Sequence, residues 1–278
     1  MVRFRSSLIA LAALAAPLAG CDSMSGISTR GPGYAEVSVA DPKAVAANID
    51  SLDAVVVAHP NDPEAYNTRG VAQAKIGKYD RAIADFSQAI KLDPRNASAY
   101  TNRALAERQI GANDAALTDF THAIDSNPNH GPAYLGRANL LRAQNRLPEA
   151  MSDLDQAIRL NPENAQSFHA RGLIHQKNGD NDRAVKDFDN AIDRDPFAAA
   201  PYQARGQSFL SLGKPDKAIE DFNAALNVDN RNAEAWAMLG YAYEKKGDRK
   251  LAAENYRRAL SINPEQPIAK QGAGRVGA

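Results

Sequence analysis

Ten charged residues carry the most regular spacing in this chain. Arg69, Arg103, Arg137, Arg171 and Arg205 lie 34 residues apart, and Asp85, Asp119, Asp153, Asp187 and Asp221 follow them at the same interval. Arginine and carboxylate side chains can pair, can hold an anion, or can assist proton transfer. Repetition decides among these, because a catalytic centre is needed once and an ion pair can recur. At the next interval both positions change together, to Leu239 and Asn255. Each arginine is therefore expected to pair with the aspartate that follows it. The other offset, the aspartate of one unit with the arginine of the next, would leave Asp221 and Arg69 without a counter-charge. Removing one partner of such a pair costs roughly 3–5 kcal/mol if it is buried and under about 1 kcal/mol if it is exposed. An arginine that already has its carboxylate is poorly suited to binding an anionic ligand, so these residues read as framework.

Little else in the chain suggests chemistry. His59, His122, His130, His169 and His175 show no metal-ligand spacing, and Cys21 is the only cysteine. Gly272 to Gly277 fits GxGxxG, but a dinucleotide site needs a strand before it and a full helix after it. Here the segment reads as a flexible Gly-rich tail. There is no GxSxG, HExxH or P-loop, and no carboxylate pair outside the repeating framework. No catalytic residue, metal or cofactor is expected. With 33 basic and 33 acidic residues, the chain also lacks the charge excess of a nucleic-acid binder.

The elements that position the charged residues follow from the period. Six units of 34 residues begin at Pro63, Ala97, Gly131, Ala165, Ala199 and Ala233, with no insertion or deletion between them. Numbering each unit from 1 to 34, position 4 is aromatic, position 8 is Gly or Ala, and positions 20 and 27 are always Ala. Position 24 is Phe, Leu or Tyr. Positions 4, 8 and 11, then 20, 24, 27 and 28, keep helical spacing, so each unit is predicted to be two helices. Small residues at 8 and 20 let the axes approach, and large ones at 4 and 24 fill the space beside them. Position 15 is Gly or Asn, the types that accept a left-handed backbone between helices. Position 32 is Pro in five units and stops the second helix. Position 34 supplies good N-caps at Asp62, Asn96, Asn164 and Asn232, and poor ones at His130 and Ala198.

This pattern resembles the tetratricopeptide repeat, a two-helix unit of the same length, over residues 63–266. The resemblance implies an all-α solenoid, a right-handed superhelix of six units at 63–96, 97–130, 131–164, 165–198, 199–232 and 233–266. Residues 41–62 are expected to add a capping half-repeat with a lone helix over 42–58. Residues 267–275 are expected to start a further first helix, a short, frayed cap, and residues 267–278 together form this cap and a tail. In this family the first helices supply an inner, concave surface, here through variable positions. Position 5 carries Asn67, Thr101, Leu135, His169 and Gln203. Position 9 carries Val71, Leu105, Asn139, Leu173, Gln207 and Tyr241. Asn102 lies at position 6, and Arg108 and Arg142 lie at position 12. Such a groove suits an extended peptide or a partner's helix. The carboxylate-gripping set of some co-chaperone members is matched only at Asn102, so that role is not expected.

Arg3 and Arg5 precede an apolar run, Leu8–Leu18, that is too short to span a bilayer. It ends in Leu18-Ala19-Gly20-Cys21. This resembles the lipobox of bacterial lipoproteins and implies a signal peptide over 1–20, cleavage before Cys21, and lipid on its sulfur and new amine. Several acyl chains on one residue anchor firmly, since each buried methylene adds about 0.8 kcal/mol. Residues 21–40 read as a lipid-anchored, flexible tether. The expected protein is a membrane-held adaptor facing the periplasm, in either the inner or the outer membrane. It looks like the lipoproteins that recruit peptidoglycan hydrolases. The alternative is an assembly factor similar to the pilotins that help pilus secretins insert.

Overall fold

The computed structural model describes residues 42–277, with side chains from residue 48 onward. Cys21, the apolar run before it and the tether lie outside the described residues. Every regular element among the described residues is helical. A lone helix, α1 (Pro42–Ala58), comes first. The first helices of the six units are α2 (Pro63–Lys75), α4 (Ala97–Gln109), α6 (Gly131–Ala143), α8 (Ala165–Lys177), α10 (Ala199–Ser211) and α12 (Ala233–Lys246). The second helices are α3 (Tyr79–Leu92), α5 (Asn113–Ser126), α7 (Leu147–Leu160), α9 (Asn181–Arg194), α11 (Pro215–Val228) and α13 (Arg249–Ile262). The last is α14 (Pro267–Val276). Each first helix packs on its own second helix, and each second helix packs on the following first helix. The result is a solenoid of consecutive pairs.

The turn within each unit depends on one backbone conformation. Gly77, Gly111, Gly179, Gly213 and Gly247 have φ between 70° and 92°, and Asn145 takes φ 62° at the same place in unit three. Asparagine is one of the few types with a side chain that enters this region at tolerable cost. The N-caps divide as their chemistry dictates. Asp62, Asn96, Asn164 and Asn232 accept a backbone N–H at 2.8–2.9 Å, whereas His130 and Ala198 make no side-chain cap.

No single core forms; apolar clusters recur along the stack. Phe120, fully buried, packs with Ala104 and Ala116 of its own unit and with Ala133 and Leu140 of the next. Phe86, Leu154, Phe188, Phe222 and Tyr256 hold the same place and are equally closed. Burying one such ring contributes about 1.5–3 kcal/mol. Gly70 lets the backbone sit against Phe86, where a Cβ would come within 2.6 Å of the ring. The position-4 aromatics do less filling than their size suggests. Apart from Phe168 they are half-buried, and two are tied by polar tips: Tyr66 Oη donates to the Pro60 carbonyl and Trp236 Nε1 to that of Asn230.

The C-terminal segment is better ordered than its glycines imply. Gln266 caps α14, accepting from the Ala269 N–H. Gly272 lies directly over the Tyr256 ring, with no room for a methyl group. Arg275 then grips Glu244 of α12 through two bonds of 2.7 and 2.9 Å. Gly272 is thus the contact that seats a helix, and the GxGxxG segment is neither a nucleotide loop nor a frayed tail up to Val276.

Candidate functional site

The recurring arginines and aspartates lie within hydrogen-bond reach inside each unit. Arg69–Asp85, Arg103–Asp119, Arg137–Asp153, Arg171–Asp187 and Arg205–Asp221 are all bidentate, with N–O distances of 2.6–2.9 Å. The aspartates are nearly closed, with side-chain exposure of 6–8 %, against 19–23 % for the arginines, so these pairs are largely desolvated. Burial pushes the Asp221 carboxyl up, against the opposing pull of Arg205. In unit six Leu239 is buried, and Asn255 donates instead to the Leu251 carbonyl.

Each arginine makes a further bond that spacing of the two charged positions does not reveal. Its Nη1 reaches position 25 of the preceding unit or, for Arg69, the equivalent residue of the lone helix α1. The acceptors are Asp53, Ser87, Thr121, Asp155 and Asp189, at 2.6–3.3 Å. Its guanidinium also lies 5.7–5.9 Å from the centroid of the position-4 ring. One side chain therefore joins two helices of its own unit to the unit before. The signal was present in the sequence, since position 25 holds a small acceptor in units one to five, Asn223 included, and becomes Arg257 only in unit six.

Models of the tetratricopeptide repeat match residues 63–96, 97–130, 165–197 and 204–267, and a model described as TPR repeat matches 138–179. The chain belongs to the tetratricopeptide repeat family. Solved structures superpose on it. The APC/C hetero-tetramer Cut9–Hcn1 aligns at TM-score 0.73 and 20 % identity over 84 % of this chain, which spans only 45 % of the matched chain. PilW, described as a widely conserved type IV pilus biogenesis factor, aligns at TM-score 0.68 and 17 % identity, covering 75 % of this chain and 97 % of PilW. YrrB, described as a TPR protein with an unusual peptide-binding site, aligns at TM-score 0.58 and 23 % identity, covering 68 % and 97 %. Comparison with curated proteins gave no match.

On this TPR scaffold the first-helix residues divide into closed and accessible sets. Asn67 and Thr101 are buried, which removes them as surface contacts. Thr101 Oγ1 bonds back to the Ala97 carbonyl, and the Asn67 amide is shared between Glu64 and Asn102. Asn67 is thus spent on the boundary with the next first helix. Gln203 is similarly occupied by Asn232. Val71, Leu105, Leu135 and Leu173 are half-buried and pack against the clusters beneath them, so they are partly core. Asn139 and Gln207 are partly exposed, and their side chains make no hydrogen bond among the described residues. Tyr241 is partly exposed, with Lys245 Nζ 5.1 Å from its ring centroid.

Position 12 is more distinctive. Arg108 and Arg142 are half-buried and meet no carboxylate among the described residues, and Arg142 Nε is enclosed without a hydrogen-bond partner. His169 of α8 lies near Arg142 and makes a tilted contact with the Phe188 ring, 5.8 Å between centroids. Burial, aided by the Arg142 charge, pulls its imidazole down to about 4. No group of residues able to hold a metal ion occurs among the described residues, and no described helix is long and apolar enough to cross a membrane. Two open depressions lie at unit boundaries, one beside Met151 and Ile174 and one over Arg205 and Asp189.

Proposed function

We propose that this chain is a lipid-anchored TPR scaffold of the bacterial envelope, which holds a protein or peptide partner against its first-helix face. The observation that carries the binding role is the contrast within that face. Each framework arginine is spent on its own aspartate and a second acceptor, while Asn139, Gln207, Arg108 and Arg142 present polar groups with no partner among the described residues. Family membership supports the same role, since TPR proteins generally bind proteins or peptides. The anchor at Cys21 rests on the lipobox resemblance alone. Recruitment of a cell-wall hydrolase is the first pathway to examine.

A pilotin-like assembly role is the second reading. It is favoured by the likeness in fold to PilW, described as a type IV pilus biogenesis factor, of which the alignment covers 97 %.

The test is site-specific photo-cross-linking in envelopes. Cross-linkers at Asn139 and Gln207 should capture one common partner, and cross-linkers at the exposed second-helix residues Ser152 and Lys186 should not. Capture only from the second helices would overturn the assignment of the face. A Cys21→Ser chain that still fractionates with membranes would remove the anchor. Loss of pili without a cell-wall defect in a deletion strain would favour the second reading.

A further inference from the structure

We propose that the first-helix face of units two to four takes an acidic, extended segment of the partner, with Arg108 and Arg142 each receiving a side-chain carboxylate. The inference rests on the binding role argued above and specifies its chemistry.

Position 12 sits against the following first helix, and other units show what it does when satisfied from within. Gln176 Nε2 donates to the Ala204 carbonyl and to Ser208 Oγ, both at 2.9 Å. Glu244 receives Arg275. One unit earlier, the counterparts of Ala204 and Ser208 are Ala170 and Ile174; two units earlier they are Gly136 and Leu140. Ile174 and Leu140 are buried and apolar. Arg142 and Arg108 therefore face side chains that offer no acceptor. The helix dipole favours a base in the last turn, but it does not explain a guanidinium half-buried with an enclosed, unbonded Nε. Desolvating a cation without a counter-charge is unfavourable, and an incoming carboxylate relieves that cost.

The placement selects the kind of carboxylate. α4 and α6 adjoin, so two cations stand in series along the stack. A chain terminus supplies one carboxylate, and a run of acidic residues supplies several. Arginine forks match carboxylates bidentately. Half-buried Leu105, Leu135 and Leu173 lie at positions 9, 5 and 9 of the first helices of units two to four, which suits a segment that alternates acidic with apolar residues. His169, neutral at physiological pH, borders the Arg142 end.

The full chain, solubilised in detergent, is titrated at low salt with a blocked peptide of repeated Glu-Pro-Leu, in which proline keeps the chain extended. The comparison peptides are blocked Gln-Pro-Leu repeats and the same repeats with a free C-terminal carboxylate. The acidic peptide should bind at least about tenfold tighter than either. Arg108→Gln and Arg142→Gln should each weaken it about tenfold, as expected for a charge-assisted hydrogen bond. Saturation should raise the His169 imidazole pKa, read by NMR, because a bound carboxylate favours the imidazolium. Equal binding of the Glu and Gln peptides overturns the inference. So does undiminished binding by the double arginine variant with unchanged melting, a preference for the free terminus, or the absence of saturable binding. If the acidic preference fails while cross-linking from Asn139 persists, this inference falls and the scaffold reading stands. Loss of both results removes both.

Discussion

Arg171 Nη1 reaches across a unit boundary to Asp155 at 2.8 Å while its other two nitrogens hold Asp187. The two carboxylates differ in environment: Asp187 is 6 % exposed and Asp155 is 48 % exposed at the side chain. Asp155→Ala should therefore cost under about 1 kcal/mol. Asp187→Ala should cost roughly 3 kcal/mol or more, because it leaves a partly buried guanidinium short of its main partner. Urea melts of the two variants separate these outcomes, and equal losses would show that the boundary bond matters as much as the bond within the unit.

The pair within a unit can be tested by copying unit six. Arg137→Leu alone leaves Asp153 buried and uncompensated, at a cost of roughly 3–5 kcal/mol. Arg137→Leu combined with Asp153→Asn reproduces Leu239 and Asn255 and should recover at least about 1 kcal/mol of that loss. A double variant as unstable as the single one contradicts the coupling.

Glu107 gives a pH signature. It is half-buried beside the Arg103–Asp119 pair, and its Oε2 has no hydrogen-bond partner. Burial, reinforced by Asp119, pushes its carboxyl up to about 7 from an ordinary 4.5. The folded state thus binds this proton more tightly than the unfolded chain does. The stability it contributes is complete below about 4.5 and is lost as pH rises through about 7. Glu107→Gln should melt higher than the natural chain at pH 8 and little differently at pH 4. A pH-independent difference would place the carboxyl in a more solvated setting.

Asn145 carries the turn of unit three at φ 62°, and its Oδ1 also accepts from Lys177 Nζ at 2.7 Å. Asn145→Ala should cost about 1 kcal/mol, the penalty of this backbone region for an ordinary residue. Asn145→Gly should be close to neutral, since the other five units use glycine there. Thermal melts of the two variants test this, and equal melts would show that the backbone region carries no penalty at this position.

Gly272→Val should unseat α14 from the Tyr256 ring and release Arg275 from Glu244. Hydrogen exchange should then show lost protection over α14 with little change in units one to four. Protection retained in α14 would mean that the ring yields instead.

The paired helices, the left-handed turns and the caps were legible because each is set by residue type at a fixed position. Asn145 and the poor caps at His130 and Ala198 could be read one residue at a time. The third bond of each arginine was not foreseen, because Ser87, Thr121 and Asp155 share an acceptor oxygen and no common residue type. The binding face was legible only as a set of variable positions. Whether such a position opens outward or is spent on the next unit depends on packing between units. That packing closes Thr101 and leaves Gln207 partly exposed at an adjacent row of the same face. A helix at α14 was legible but its close seating was not, because a glycine that permits close approach looks, in sequence, like one that permits disorder.

The boundaries between units differ in the kind of force that holds them. Those before units four and five carry an aspartate on the arginine, at Asp155 and Asp189. At the boundary before unit six Leu239 replaces the arginine, and Phe222, Leu226, Leu239 and their apolar neighbours hold it, together with an exposed ion pair between Lys246 and Asp216. Salt weakens exposed ionic contacts, whereas cooling weakens apolar ones. Brine and cold thus act on different bonds of this stack: salt reaches the Asp155 and Asp189 contacts, and cold reaches the apolar seam around Phe222 and Leu239.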